Sequence, residues 1–73
     1  MPTFPKRLQE ARKAKGITQK GMAELLGINE TSYQLYEYGK REPNYEKTVK
    51  IADILDVSVD YLLGRTDNPQ WHP

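Results

Sequence analysis

The side chains of this chain that could do chemistry gather between Gln19 and Arg41, and their types suit binding rather than bond-making. No nucleophile sits with a base and an acid, no glycine loop is built to cradle phosphate, and no metal-ligand spacing occurs. The single histidine, His72, has no second ligand or nucleophile beside it and is neither a metal site nor a general base. No cofactor and no enzyme activity are expected. What Gln19 to Tyr38 offers is geometry. Two short apolar-periodic segments are joined by Gly27-Ile28-Asn29, and Gly27 can take the positive φ that redirects the chain. Ala23 is small enough for the second segment to cross closely, and Met22, Leu26, Ile28, Tyr33 and Tyr36 supply an apolar seam. The start of the second segment then projects outward, where it can enter a groove wide enough for a helix. Lys40 and Arg41 follow directly; they are either solvated turn charges or, favoured by their place just after that segment, phosphate contacts.

Five helices must position these residues. Phe4, Leu8 and Ala11 recur at helical spacing, with Thr3 available as a cap, Pro5 tolerated in the first turn and Gly16 as a stop. Thr18 caps a second helix over 19–26, stopped by Gly27. Asn29 caps a third, from Glu30 to Glu37 or Tyr38, closed by Gly39. Asn44 caps a fourth over 45–55, with Tyr45, Thr48, Val49, Ala52 and Leu55 as its stripe and Ile51 beside it. Asp56 stands where a left-handed residue should end it. Ser58 caps a short last helix over 59–63, ended by Gly64, with Tyr61, Leu62 and Leu63 read as core. Nothing alternates with period two. The fold class is all-α, from helices too short to be stable alone. Residues 1–64 read as the domain and Arg65 to Pro73 as a tail, in which Trp71 is either disordered or a small anchor onto a partner subunit.

The 73 residues amount to one small domain. Without cysteine, no disulfide or Cys-based zinc site can staple it, which suits a reducing cytoplasm. No apolar run approaches a membrane span, and Met1-Pro2-Thr3-Phe4 lacks the apolar stretch of a signal peptide. The formal charge of +1 is too small to argue for nucleic acid, but its distribution is uneven. Residues 1–20 carry Lys6, Arg7, Arg12, Lys13, Lys15 and Lys20 against Glu10 alone, whereas residues 51–73 carry Arg65 against Asp53, Asp56, Asp60 and Asp67. One half could face a polyanion, or it could simply be a solvated basic helix.

At this point the sequence resembles the phage repressor and Cro type of helix-turn-helix, the Xre family. The likeness runs from Phe4 to about Asp67. It is carried by Thr18-Gln19, Ala23, Gly27, Tyr36-Glu37, the loop Gly39-Lys40-Arg41-Glu42-Pro43, and Val57-Ser58-Val59-Asp60-Tyr61-Leu62-Leu63-Gly64. The resemblance implies a compact five-helix, lambda-repressor-like fold that binds a near-palindromic operator on double-stranded DNA as a homodimer. It implies base-facing roles for Gln19, Asn29, Glu30, Thr31, Gln34 and Leu35, and phosphate contacts for Ser32, Tyr38, Lys40 and Arg41. Lys20 is added as a phosphate contact because it adjoins Gln19. It also implies that Arg12 pairs with Glu37.

The sequence departs from that pattern in places. Gly21 replaces the usual acid near the start of the second helix, losing a capping box. The recognition helix carries no Lys or Arg but two acids, Glu30 and Glu37. Glu30 gains from DNA only by accepting a hydrogen bond from cytosine N4; otherwise it serves the helix dipole. Leu35, read as exposed, suits a thymine methyl. These features keep a rival open: a protein-interaction module, a dimerisation or antitoxin-like surface with DNA binding lost or secondary. A protein partner or antirepressor is expected beside DNA as a further partner. The length leaves no room for a sensing domain, so control is expected through abundance, proteolysis, a partner or competition. The last helix and the tail are the expected dimer surface.

Overall fold

Four side chains, Thr18, Asn29, Asn44 and Ser58, each accept a hydrogen bond from the backbone N–H three residues on, at 2.9, 2.7, 2.8 and 2.9 Å. Each satisfies a donor that the first helical turn leaves without a partner, and so sets where a helix begins. The computed structural model describes residues 3–70, and the helices are α1 (Thr3–Ala14), α2 (Gln19–Leu26), α3 (Glu30–Glu37), α4 (Tyr45–Leu55) and α5 (Val59–Leu62). Thr3 is the first residue of α1 rather than a cap outside it, and α5 stops one residue short of Leu63, which is its C-cap. Trp71 and His72 lie outside the described residues.

Two helix ends use the same device. Gly27 takes φ 72°, ψ 30°, and the N–H of Ile28 then reaches back to the carbonyl of Ala23 at 3.0 Å. Asp56 takes φ 56°, ψ 45°, and Val57 N–H reaches Ala52 at 3.0 Å. The reversed residue turns the chain and satisfies a terminal carbonyl together. At Asp56 this costs a non-glycine residue a left-handed backbone.

α2 packs chiefly on α3, α1 touches α3 and α5, and α4 closes the bundle against α2 and α5. The core is Leu8, Met22, Ala23, Leu26, Tyr33, Tyr36, Ile51, Ala52, Leu55 and Leu62. Tyr33 and Tyr36 meet edge to face, centroids 6.2 Å apart. Ile28 packs at the core's margin.

The stripe expected on α4 is rotated. Ile51 is fully buried, whereas Tyr45 is 83% exposed and Val49 37%. Six residues separate Tyr45 from Ile51, which turns the tyrosine about 120° away round the helix. Leu63, expected in the core, is 52% exposed, because the helix ends just before it.

Among the described residues, the segment after α5 has no helix but is tied down. Arg7 Nη1 donates to the carbonyls of Tyr61 (2.7 Å) and Thr66 (2.5 Å), and Nη2 meets Asp67 at 2.6 Å. The guanidinium also lies 4.3 Å from the centre of the Tyr61 ring. Further on, Ser58 N–H donates to Pro69 O at 2.9 Å.

Candidate nucleic-acid interface

The face of α3 that carries Tyr33, Tyr36 and Glu37 is buried, so the helix is held from behind. Asn29, Glu30 and Thr31, at its start, are exposed, and Ser32, Gln34 and Leu35 are half-buried. Leu35 is thus less open than its position suggested. Asn29 uses its Oδ1 to cap α3, accepting from the Ser32 N–H. From α2, Lys20 is exposed and Gln19 half-buried. The loop after α3 is folded onto the helix end: the N–H groups of Lys40 and Arg41 donate to Leu35 O, at 2.9 and 3.3 Å. That presents Tyr38, Lys40 and Arg41, all exposed, beside the same helix.

Behind this surface Glu37 is enclosed, its side chain 0% exposed. Arg12 donates to it through Nε at 2.5 Å and Nη2 at 3.2 Å, Tyr33 through its hydroxyl at 2.6 Å, and Gln19 through Nε2 at 3.0 Å. Burial alone would raise the Glu37 carboxyl, but the hydrogen bonds from Arg12, Tyr33 and Gln19 outweigh it and hold it below the ordinary range. The hydrogen bond to Glu37 raises Arg12, against the opposing effect of burial. Burial, with the carboxylate beside it, pushes Tyr33 well up. The group is therefore an ionised, fully bonded pair, and among the described residues no buried side-chain polar atom lacks a partner.

Gln19 is where the structure adds most. Expected to touch DNA directly, it also bridges the ion pair to the surface, accepting from Gln34 Nε2 at 3.1 Å on its Oε1. Gln34 lies 3.5 Å from Glu30 Oε2 by the same nitrogen. Arg12, Glu37, Gln19, Gln34 and Glu30 thus form one connected series. Tyr33 is more than part of the apolar seam: its spacing of four from Glu37 along one helix places its hydroxyl on the same face as the carboxylate. Arg7, one of the six bases in residues 1–20, does not face outward with the lysines but is turned onto α5 and the segment after it. No local signal announces a contact across 60 residues. At Gly21 a Cβ would lie 3.2 Å from both Ile17 Cγ2 and Thr18 Oγ1, a tight fit beside the cap.

The arrangement is a buried-back helix with an exposed first turn, crossed by a helix of the same length and followed by a basic loop. The helix-turn-helix family profile matches residues 8–62. The chain belongs to the helix-turn-helix family, in its phage repressor and Cro type. Members similar to it include the uncharacterised HTH-type transcriptional regulator YqaE of Bacillus subtilis, 48% identical over 89% of this chain and 56% of that protein. Another is the cryptic phage CTXphi transcriptional repressor RstR of Vibrio cholerae, 50% identical over 88% of this chain and 59% of that protein. The chain therefore spans less than two thirds of the length of these family members. The P22 c2 repressor, solved in complex with a synthetic operator, superposes with a TM-score of 0.79 at 27% identity, over 86% of this chain and 96% of that one. These family members are transcriptional regulators, not enzymes. Among the described residues no helix is long and apolar enough to cross a membrane.

Proposed function

We propose that this chain binds double-stranded DNA sequence-specifically and acts as a transcriptional repressor by occluding its site. The observation that carries the reading is the exposed first turn of α3, Asn29 to Thr31, backed by a helix face that is buried and ion-paired. Base edges are read by Gln19, Asn29, Glu30, Thr31, Gln34 and Leu35. Phosphates are met by Lys20, Ser32, Tyr38, Lys40 and Arg41. Two of the six bases in residues 1–20, Arg7 and Arg12, are engaged inside the molecule, so attraction to the backbone rests on the remaining lysines and the loop.

The binding unit is a homodimer. One body measures 31 × 23 × 21 Å and carries one α3. Adjacent major grooves on one duplex face lie about 34–36 Å apart, so reading two half-sites takes a second copy. The dimer surface is α5 and the chain after it, where Leu63 is exposed. The protein works in the cytoplasm of a bacterium or a phage-infected cell, and a protein partner or antirepressor sets when it lets go. The repressor RstR and the P22 c2 repressor support repression.

Selection of bound duplexes from a random pool at defined salt tests this. The expected product is a near-palindrome with half-sites about one helical turn apart, or a multiple of it. No enrichment, and no duplex binding even in dilute buffer, would overturn the proposal in favour of a protein-interaction module.

A further inference from the structure

Glu37 stands at the inner end of the hydrogen-bond series that reaches the exposed face of α3. Paired with Arg12, its carboxylate can only accept. Gln19 must therefore turn its amino group inward, as Nε2 does at 3.0 Å from Glu37 Oε1. The amide is planar, so its carbonyl oxygen faces the other way and can only accept. Gln34 must answer with its own amino group, and Nε2 does so at 3.1 Å. The second N–H of that nitrogen has Glu30 Oε2 for an acceptor at 3.5 Å. Both donors of Gln34 have acceptors within the protein, and its carbonyl is the group left for a ligand.

Resting on the reading of this face as DNA-facing, we infer that Glu37 sets the amide polarity of the recognition surface, so that Gln34 and Glu30 present acceptors together. The base edge they meet then carries an exocyclic amino group, cytosine N4 or adenine N6. A glutamine free to turn reads adenine through both ends, N–H to N7 and carbonyl to N6. Held by Gln19, Gln34 keeps only the carbonyl half. Guanine O6 and N7 and thymine O4 are acceptors and meet it unfavourably. Glu37 and Gln19 are positioning residues here, and Gln34 is the reader.

Two measurements test the inference separately from DNA binding itself. The first uses the free protein and its side-chain amide NMR signals. A glutamine at position 37 can donate as well as accept, so Glu37→Gln releases the constraint. The Gln34 amide signals should shift although two links away, while those of Gln9 stay put. Should Glu37→Gln fail to fold, Gln19→Met breaks the series and leaves the Arg12–Glu37 pair intact. Unchanged Gln34 signals in the folded variant would overturn the orienting role.

The second is duplex selection with wild type, Gln34→Ala, Gln19→Met and the double variant. The position whose preference Gln34→Ala erases is the one Gln34 reads. Every base pair carries one such amino group in the major groove, so its removal is the probe: purine in place of adenine, or pyrimidin-2-one in place of cytosine, at that pair should weaken wild-type binding by about fivefold or more and leave Gln34→Ala binding unchanged. Gln19→Met should weaken that preference, and should do nothing further at that position in the Gln34→Ala background. Wild-type binding that ignores the loss of that amino group, or a preference indifferent to Gln19→Met, would sink the base assignment. A chain that binds no duplex sinks it along with the DNA reading, while the amide signals of the free protein judge the orientation on their own.

Discussion

Arg12, near the end of α1, donates through Nε to Oε2 of Glu37, the last residue of α3, across 2.5 Å and 25 residues of chain. The side chains are 9% and 0% exposed, and the guanidinium also caps the turn after α1 through Ile17 O at 2.9 Å. One pair therefore joins the first helix, the turn that follows it and the helix proposed to read DNA.

Breaking that pair from one side should cost more than its attraction is worth. Glu37→Ala leaves a desolvated guanidinium and a buried tyrosine hydroxyl without their acceptor. The expected loss is about 3–5 kcal/mol, a large part of what a domain this small holds. Urea denaturation should show the midpoint falling steeply, and a midpoint within error of wild type would refute the structural role.

The same carboxylate predicts an acid limb. Its pKa is lowered on folding from an ordinary 4.5, so its contribution is present above that pH and is lost as pH falls through the folded value. Glu37→Gln should be less stable than wild type at neutral pH, and the gap should narrow below pH 4.5. Tyr33 acts in the opposite sense: its pKa is raised, so its contribution holds below pH 10 and declines above as the unfolded chain ionises. Stability measured against pH for wild type, Glu37→Gln and Tyr33→Phe would show both limbs or neither.

Arg7 should hold the segment after α5 through carbonyls rather than through its ion pair. The Asp67 side chain is 99% exposed, and a solvated pair contributes little. The bonds to Tyr61 O and Thr66 O come from a charged donor in a half-buried position, for which a loss of about 1.5–3 kcal/mol is expected in Arg7→Ala. Hydrogen exchange at the Ser58 amide, which is bonded to Pro69 O, should speed up in Arg7→Ala and stay slow in Asp67→Asn.

Two left-handed positions should respond with opposite signs. Asp56→Gly relieves a strained backbone and should stabilise by about 0.5–1 kcal/mol. Gly64→Ala forces a Cβ onto φ 82° and to 3.2 Å from Thr3, and should destabilise by about 1–2 kcal/mol. Thermal melts of the two variants need only show the order.

On DNA, positioning and reading should separate. Lys40→Ala should weaken all duplexes alike and flatten the salt dependence by about one unit. Glu30→Ala or Thr31→Ala should instead alter preference at one base pair, by about 1–3 kcal/mol. If Lys40→Ala changed the preferred sequence while Glu30→Ala did not, the division of roles would be reversed.

What the chain of residues determined alone was local. A cap acts on an N–H three positions on, and a left-handed residue acts on carbonyls within the preceding turn, so Thr18, Asn29, Asn44, Ser58, Gly27 and Asp56 marked the helix ends without any knowledge of packing. The turn between α2 and α3 was legible for the same reason. Tertiary structure decided the rest. Which way α4 rolls, burying Ile51 and exposing Tyr45, depends on where its neighbours stand. Arg7 looks like any surface base until α5 and Thr66 arrive beside it. The direction of the Gln19 and Gln34 amides exists only once Arg12 has ionised Glu37 from another helix, because an amide has no preferred sense until a group that can only accept stands at one end.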